Sequence, residues 1–203
     1  MKKTIYILIY ILFVSCSTII KESLDQKKSV IARPSPDVII TKGLSINIQN
    51  IQDIIPTHSL IVQHVEFKGT ERLEQAQVIF KNQKTLQVIA LSGFGIELFN
   101  AKFLNGGEFT YESKLNLPRE LFDKIISDML IVYSTKKQIL ARFSSPIVVT
   151  EAANYRQLEF NNQKLIEIYY DKGKNWDSDI NFINYELGYR LKIKTTKNEL
   201  LPK

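Results

Sequence analysis

A single cysteine, Cys16, rules out any internal disulfide in this chain of 203 residues. Histidine is nearly as scarce. His58 and His64 are the only two. They flank one predicted strand, and no second cysteine can join them as ligands, so they are read as polar-face residues and no metal site is expected. A GxSxG nucleophile elbow, a GxxxxGK[ST] phosphate loop and an HExxH pair are all absent. Gly93-Phe94-Gly95 begins a GxG run without its third glycine, so no dinucleotide cofactor is expected, and no cofactor of any other kind. The carboxylates are dispersed. Glu66, Glu71 and Glu74 flank one turn, while Asp123 and Asp128 are assigned to the solvent side of a helix. No catalytic residue stands out, and an enzyme is disfavoured, with an esterase or thioesterase the remaining catalytic alternative. Runs of like charge are missing too. The formal charge is +6, two of it from Lys2 and Lys3, and the other basic residues are scattered along strands. That pattern fits a solvated surface and argues against a nucleic-acid partner.

What is present begins at the N-terminus. Lys2-Lys3 precede Thr4 to Val14, an apolar run of about eleven residues, too short to cross a hydrocarbon core of roughly 30 Å and suited to a signal h-region. The run ends in Phe13-Val14-Ser15-Cys16, which resembles a bacterial lipobox, with Phe13 in place of the usual leucine. The resemblance implies a signal peptide over 1–15 and acylation of Cys16. Two or more acyl chains anchor a protein stably where one does not. Ser17, rather than an aspartate, follows the cysteine and leans toward the periplasmic face of the outer membrane. Residues 16–40, rich in Ser, Lys, Asp and Gln with Pro34 and Pro36, read as a lipidated tether. A folded domain is expected over 41–197 and a frayed tail over 198–203.

Within the domain the periodicity is mostly two. Ser59 to Lys68 sets Ile61, Val65 and Phe67 against His64 and Glu66, and Leu73 to Asn82 sets Ala76, Val78 and Phe80 against Gln75 and Gln77. Further strands are predicted over Thr85–Leu91, Gly95–Phe103, Glu108–Glu112, Ile147–Thr150, Tyr155–Phe160, Lys164–Tyr170, Ile180–Tyr185 and Gly188–Thr195, with a strong turn at Asn105-Gly106-Gly107. A short helix is predicted around Ile48–Ile55. The main helix starts at Pro118, where a missing N–H costs nothing, and carries an apolar stripe from Leu121 to Tyr133 through Phe122, Ile125, Ile126, Met129 and Leu130. Another is predicted over Thr135–Arg142. Lys172, Lys174 and Trp176, the only tryptophan, share a loop. They form either a headgroup contact or, as favoured here, a loop whose Trp packs on the sheet. The expected fold is α+β and mainly β: an antiparallel, incomplete (half-open) β-barrel covered by one or two helices.

One short stretch breaks the pattern. Ser92-Gly93-Phe94-Gly95 joins two strands and sets a phenylalanine between glycines at the tip. Burying a Phe stabilises by roughly 1.5–3 kcal/mol, so Phe94 either folds back on the helical stripe or projects outward for a reason.

The lipobox, QAQVIFKNQKTLQVIALSGFGIELFNAKF, the Pro-initiated helix, KLIEIYYDKGKNW and GYRLKIKT together resemble the outer-membrane lipoprotein receptor LolB and its relatives, and more closely a family of short lipoproteins of the same layout, some encoded beside aryl-polyene biosynthesis genes. The resemblance implies a LolA/LolB-like open barrel that holds acyl chains. It also implies that Phe94 stands where LolB carries an exposed leucine on a turn, with Gly93 in place of a proline, as a membrane contact. The cavity wall would then comprise Val65 and Phe67, Val78 and Phe80, Phe99 and Phe103, Ile166, Ile168 and Tyr170, and Tyr189 and Leu191, under a lid of Phe122, Ile125, Ile126, Met129 and Leu130. The leading expectation is a monomeric, lipid-anchored envelope protein that binds or transfers a hydrophobic ligand, such as lipoprotein acyl chains or a polyene-type lipid. The alternative is a structural adaptor with an envelope protein partner.

Overall fold

The computed structural model describes residues 30–32, 37–69, 73–104, 109–113, 115 and 119–202. Residues 1–15 (read above as a signal peptide), Cys16, most of the expected tether, the Asn105-Gly106-Gly107 turn and Pro118 lie outside the described residues. The described part of that tether is strand rather than linker. The strands are β1 (Val30–Ala32), β2 (Asp37–Thr41), β3 (Leu44–Asn47), β4 (Ser59–Lys68), β5 (Leu73–Asn82), β6 (Leu86–Ser92), β7 (Glu97–Phe103), β8 (Phe109–Glu112), β9 (Val148–Ala152), β10 (Tyr155–Phe160), β11 (Gln163–Tyr170), β12 (Ile180–Asn184) and β13 (Tyr189–Leu200). The helices are α1 (Arg119–Tyr133) and α2 (Lys136–Arg142), with a 3-10 turn at Ile51–Ile54 where a longer helix was expected. Eleven strands form one antiparallel sheet in the order β1-β8-β7-β6-β5-β4-β13-β12-β11-β10-β9. Its two edge strands do not pair with each other, so the barrel stays incomplete, and β2–β3 form a separate hairpin.

The period-two pattern sets the sheet's inner face. Gln63, Val78, Ala90 and Phe99 are aligned across four strands, and Ile61, Phe80, Val88 and Ala101 form the next row. All eight are buried. Lined up in this way, each strand's apolar set covers its neighbour's.

Helix α1 lies against that face. Phe122 sits among Phe99, Phe103, Phe109 and Tyr111 with ring centroids 5.2–6.2 Å away. At the other end Tyr133 stacks on Trp176 at 3.6 Å and 10°. Ile126, Met129 and Leu130 are buried as the stripe predicts. The opposite side of the helix corrects the sequence reading. Asp123 and Asp128 were assigned to solvent, yet both are buried, along with Ser127, Ile131 and Val132. The curved sheet encloses the helix on more than one side, and polar partners make this tolerable. Asp128 accepts a hydrogen bond from the Tyr189 hydroxyl and lies 3.1 Å from Lys124. Burial pushes the Asp123 carboxyl up, and Arg119, 3.6 Å away, pulls it back down. Helix α1 is therefore buried on more than one side.

Helix α2 begins with a capping box. Thr135 Oγ1 accepts from the Gln138 N–H, and the Gln138 side chain accepts from the Thr135 N–H at 2.8 Å. The supposed tail is another correction. Past an irregularity between Thr195 and Lys197, Asn198, Glu199 and Leu200 pair with Ile61, Leu60 and Ser59, and the Leu201 N–H donates to the His58 carbonyl at 2.6 Å.

Candidate functional site

Two features stand out, one at each end of β6. The first is the Ser92–Gly95 turn. The Gly95 N–H donates to the Ser92 carbonyl and the Ser92 N–H to the Ile96 carbonyl, each at 2.8 Å. Ser92 Oγ accepts from the N–H groups of Phe94 and Ile96 at 3.3 and 3.1 Å. Gly95 has φ +76°, the left-handed region that glycine enters without strain. The backbone is thus held by four hydrogen bonds, while the side chain it presents is free: Phe94 is 95% exposed. It does not fold back on α1. Ile96, Leu115, Tyr185 and Leu187 are also exposed. By strand direction, Tyr185 and Leu187, between β12 and β13, and Leu115, beyond β8, belong to the same rim of the sheet. Strand β1 pairs Val30 with Tyr111 and Ala32 with Phe109, so the chain enters the sheet from this rim.

The second feature is a cleft of about 630 Å³ at the opposite rim, roughly 20 Å away along β6. Leu86, Phe103, Leu104, Trp176 and Ile54 supply its apolar surface, and Asp53, Thr57, Asn82, Lys84 and Thr85 its polar one. Its wall is fixed by two hydrogen bonds to the 3-10 turn: Trp176 Nε1 donates to the Ile54 carbonyl at 3.1 Å, and Asn82 Nδ2 to the Ile55 carbonyl at 3.0 Å. Trp176 packs inward against Phe80 and Tyr133, the packing role its loop suggested.

The residues expected to wall a cavity do share the inner face, but most of that face is filled. Val78, Phe80, Phe99, Ile166, Ile168 and Tyr170 are buried, and Val65, Tyr189 and Leu191 pack partly buried against the same core. Phe67 meets the Tyr189 ring at 5.4 Å. Of the eleven wall residues and five lid residues, only Phe103 lines the cleft. Burial also pushes the hydroxyls of Tyr133, Tyr170 and Tyr189 upward, so all three stay neutral near pH 7. Tyr170 and Tyr189 donate to the Val132 carbonyl and to Asp128, and Tyr133 accepts from Gln63 Nε2.

On the outer face Glu167 accepts from Lys164 at 2.5 Å, Tyr155 at 2.9 Å and Tyr185. Burial works to raise its carboxyl, but these three donors outweigh it and hold the group below the ordinary value. Tyr155, partly desolvated and beside the carboxylate, is pushed up to about 12. A carboxylate saturated in this way fastens β10, β11 and the β12–β13 turn together and is not a free base. Among the described residues no group of three or more His, Cys, Asp or Glu is placed to hold a metal ion. No helix among them is long and apolar enough to cross a membrane.

Residues 60–197, which carry the Phe94 turn and part of the cleft wall, match the family described as a protein of unknown function, DUF3261. The chain belongs to that family. The match runs from β4 into β13 and includes the Phe94 turn, α1 and the Trp176 loop. No curated protein matches the chain.

Sequence reasoning missed Arg156, 1% exposed inside the family span. Its guanidinium bonds Glu151 at 2.7 Å and the carbonyls of Ile131, Val132 and Ser134 at the end of α1. The signal was available: Arg156 alternates with Leu158 on an inward strand face. The lysines around the β5–β6 hairpin were also passed over, because each looked like one more surface charge.

Proposed function

We propose that this is a lipid-anchored protein of the cell envelope, held by Cys16 at the periplasmic face of the outer membrane, that binds or transfers a hydrophobic ligand. Lipoprotein acyl chains and polyene-type lipids are the candidate classes, in keeping with the resemblance to LolB. The observation that carries the reading is Phe94. A large apolar side chain is held almost fully in water by a turn whose backbone is hydrogen-bonded, on the rim where the chain arrives from the proposed anchor. Exposed apolar groups on a rim suit a surface that meets an apolar phase, and a Phe suits the membrane interface. The cleft at the far rim falls within the volume range of small-molecule sites.

The test uses the full chain bearing Cys16→Ser, so that binding by the acyl anchor does not mask binding by the rim. Flotation with phospholipid vesicles is expected to lift this protein and to leave Phe94→Glu behind. Equal flotation of the two overturns the membrane contact. Native mass spectrometry of the Cys16→Ser protein is expected to find co-purified lipid, and a ligand-free protein counts against the carrier role. Palmitate labelling is expected with Cys16 and not with Cys16→Ser.

A second reading, a structural adaptor, is favoured by the filled inner face and by β9. That strand pairs only with β10 among the described residues, and its Val148 is 59% exposed. An edge of this kind is suited to strand addition by a partner. Recovery of a stoichiometric protein partner without lipid selects it.

A further inference from the structure

The far cleft does not end at the sheet. On the outer side of the same hairpin lies a smaller recess of about 280 Å³ lined by Lys81, Gln83, Lys84, Thr85, Gln87 and Lys102. Lys84 and Thr85 line both spaces, so the two meet across the edge of the hairpin. The cleft side sets Leu86, Phe103, Leu104 and Trp176 among polar residues, and the recess side carries three cations with no carboxylate among the described residues that line it.

The lysines are brought together by register. Lys81 lies opposite Gln87, and Gln87 opposite Lys102, so two ammonium groups flank one glutamine on three adjacent strands, with their Cα atoms about 10 Å apart. Lys84 projects from the loop that closes two of those strands. The Gln87 amide donates to Asn100 at 3.0 Å and is thereby committed to its neighbour. Among the described residues none of the three lysines has a carboxylate partner. Cations gathered without a counter-charge repel one another, and an anion seated among them removes that repulsion. The acid of the larger cleft, Asp53, is within electrostatic reach of Arg142 and so is not left to oppose a bound anion alone.

We infer that the ligand of this end is an amphiphile with one acyl-type chain and a singly or doubly charged anionic head, the chain lying on Leu86, Phe103 and Trp176 and the head among Lys81, Lys84 and Lys102. The inference rests on the proposed binding of a hydrophobic ligand and specifies its class. A phosphate and a carboxylate head share the recognising chemistry: oxygen acceptors facing ammonium donors.

Trp176 is the sole tryptophan and lines the cleft, so its emission reports occupancy directly. The full chain with Cys16→Ser, which lacks an acyl group of its own to compete, is titrated below micelle-forming concentrations with monododecyl phosphate, dodecyl maltoside, dodecanoate and inorganic phosphate. Dodecyl phosphate and dodecanoate are expected to shift the emission and to bind at least about tenfold more tightly than the maltoside. Inorganic phosphate is expected to leave the emission unchanged. The triple variant Lys81→Gln, Lys84→Gln, Lys102→Gln, all at exposed positions, should lose that preference while keeping its affinity for the maltoside. Added salt should erode the preference in the unsubstituted protein. Equal binding of charged and uncharged chains overturns this inference and leaves the hydrophobic-ligand reading standing. Binding of no dodecyl compound overturns both. Inorganic phosphate binding as tightly as dodecyl phosphate makes the recess a free-anion site and overturns the amphiphile.

Discussion

Arg156 donates from Nη2 to the backbone carbonyl of Ser134 at 2.7 Å, so a side chain from β10 closes the end of helix α1. The last carbonyls of a helix have no partners within it and carry its negative dipole end. A guanidinium offers five donors to such groups. Here it also takes the carbonyls of Ile131 and Val132, and Glu151 balances its charge. Tyr170 adds a bond of 2.8 Å to Val132.

Arg156→Met is therefore expected to destabilise the fold by about 3 kcal/mol, the low end for breaking a buried pair, because Glu151 is partly solvated and keeps Lys174 3.6 Å away. Arg156→Lys should recover only part of this, since an ammonium cannot span three carbonyls and a carboxylate. Urea unfolding reads the effect as a shift in midpoint at constant slope.

The two glycines of the tip are not equivalent. A Cβ on Gly95 would meet nothing within 4 Å, but its φ of +76° is costly for any L side chain. Gly95→Ala should cost about 1–2 kcal/mol from backbone strain alone. Gly93 has no such φ, and a Cβ there would make ordinary contact with Gln75 at 3.5 Å. Gly93→Ala should be neutral or stabilise by up to about 1 kcal/mol. Thermal melts of the two variants check the contrast.

Phe94, on the turn between β6 and β7, and Phe80, in β5, should respond oppositely. Phe94→Ala removes a side chain that is already in water, so stability should change by less than about 0.5 kcal/mol while vesicle binding falls. Phe80→Ala empties a fully buried site beside Trp176 and should cost about 3–5 kcal/mol. Unfolding midpoints and flotation, measured on both, separate the two roles.

Glu167 sets a pH window. Its folded carboxyl is held below the ordinary 4.5, so its contribution to stability is fully present above that value and is lost as pH falls through the depressed one. The stability gap between the protein and Glu167→Gln should stay constant from pH 7 to about 5 and narrow on further acidification. At the alkaline end Tyr155, raised to about 12, contributes below pH 10 and loses that contribution as pH climbs from 10 toward 12. Denaturant midpoints measured across pH test both limits, and a gap that does not close in acid would mean that Glu167 is not held by its donors.

From β4 onward, most elements and the inward faces of the strands were legible in local sequence, whereas β1, β2 and β3 were not. Alternation in β4, β5, β7 and β13 depends only on neighbouring residues, and so does the glycine-flanked turn at Phe94, whose direction the sequence left open. The same local reading misjudged whatever depended on a distant partner. Asp128 looked like a solvent group because Tyr189, its donor, arrives from another part of the chain. Asn198 to Leu200 looked frayed because their pairing with β4 spans most of the domain. Arg156 looked like a strand residue because the carbonyls it binds belong to a helix that precedes it. Long-range packing set the rest: α1 lies against the inner face, a cleft opens at one rim, and three lysines scattered in sequence become neighbours beside it. Burial of a charge and registry of strands are properties of contacts between segments, and no local periodicity encodes them.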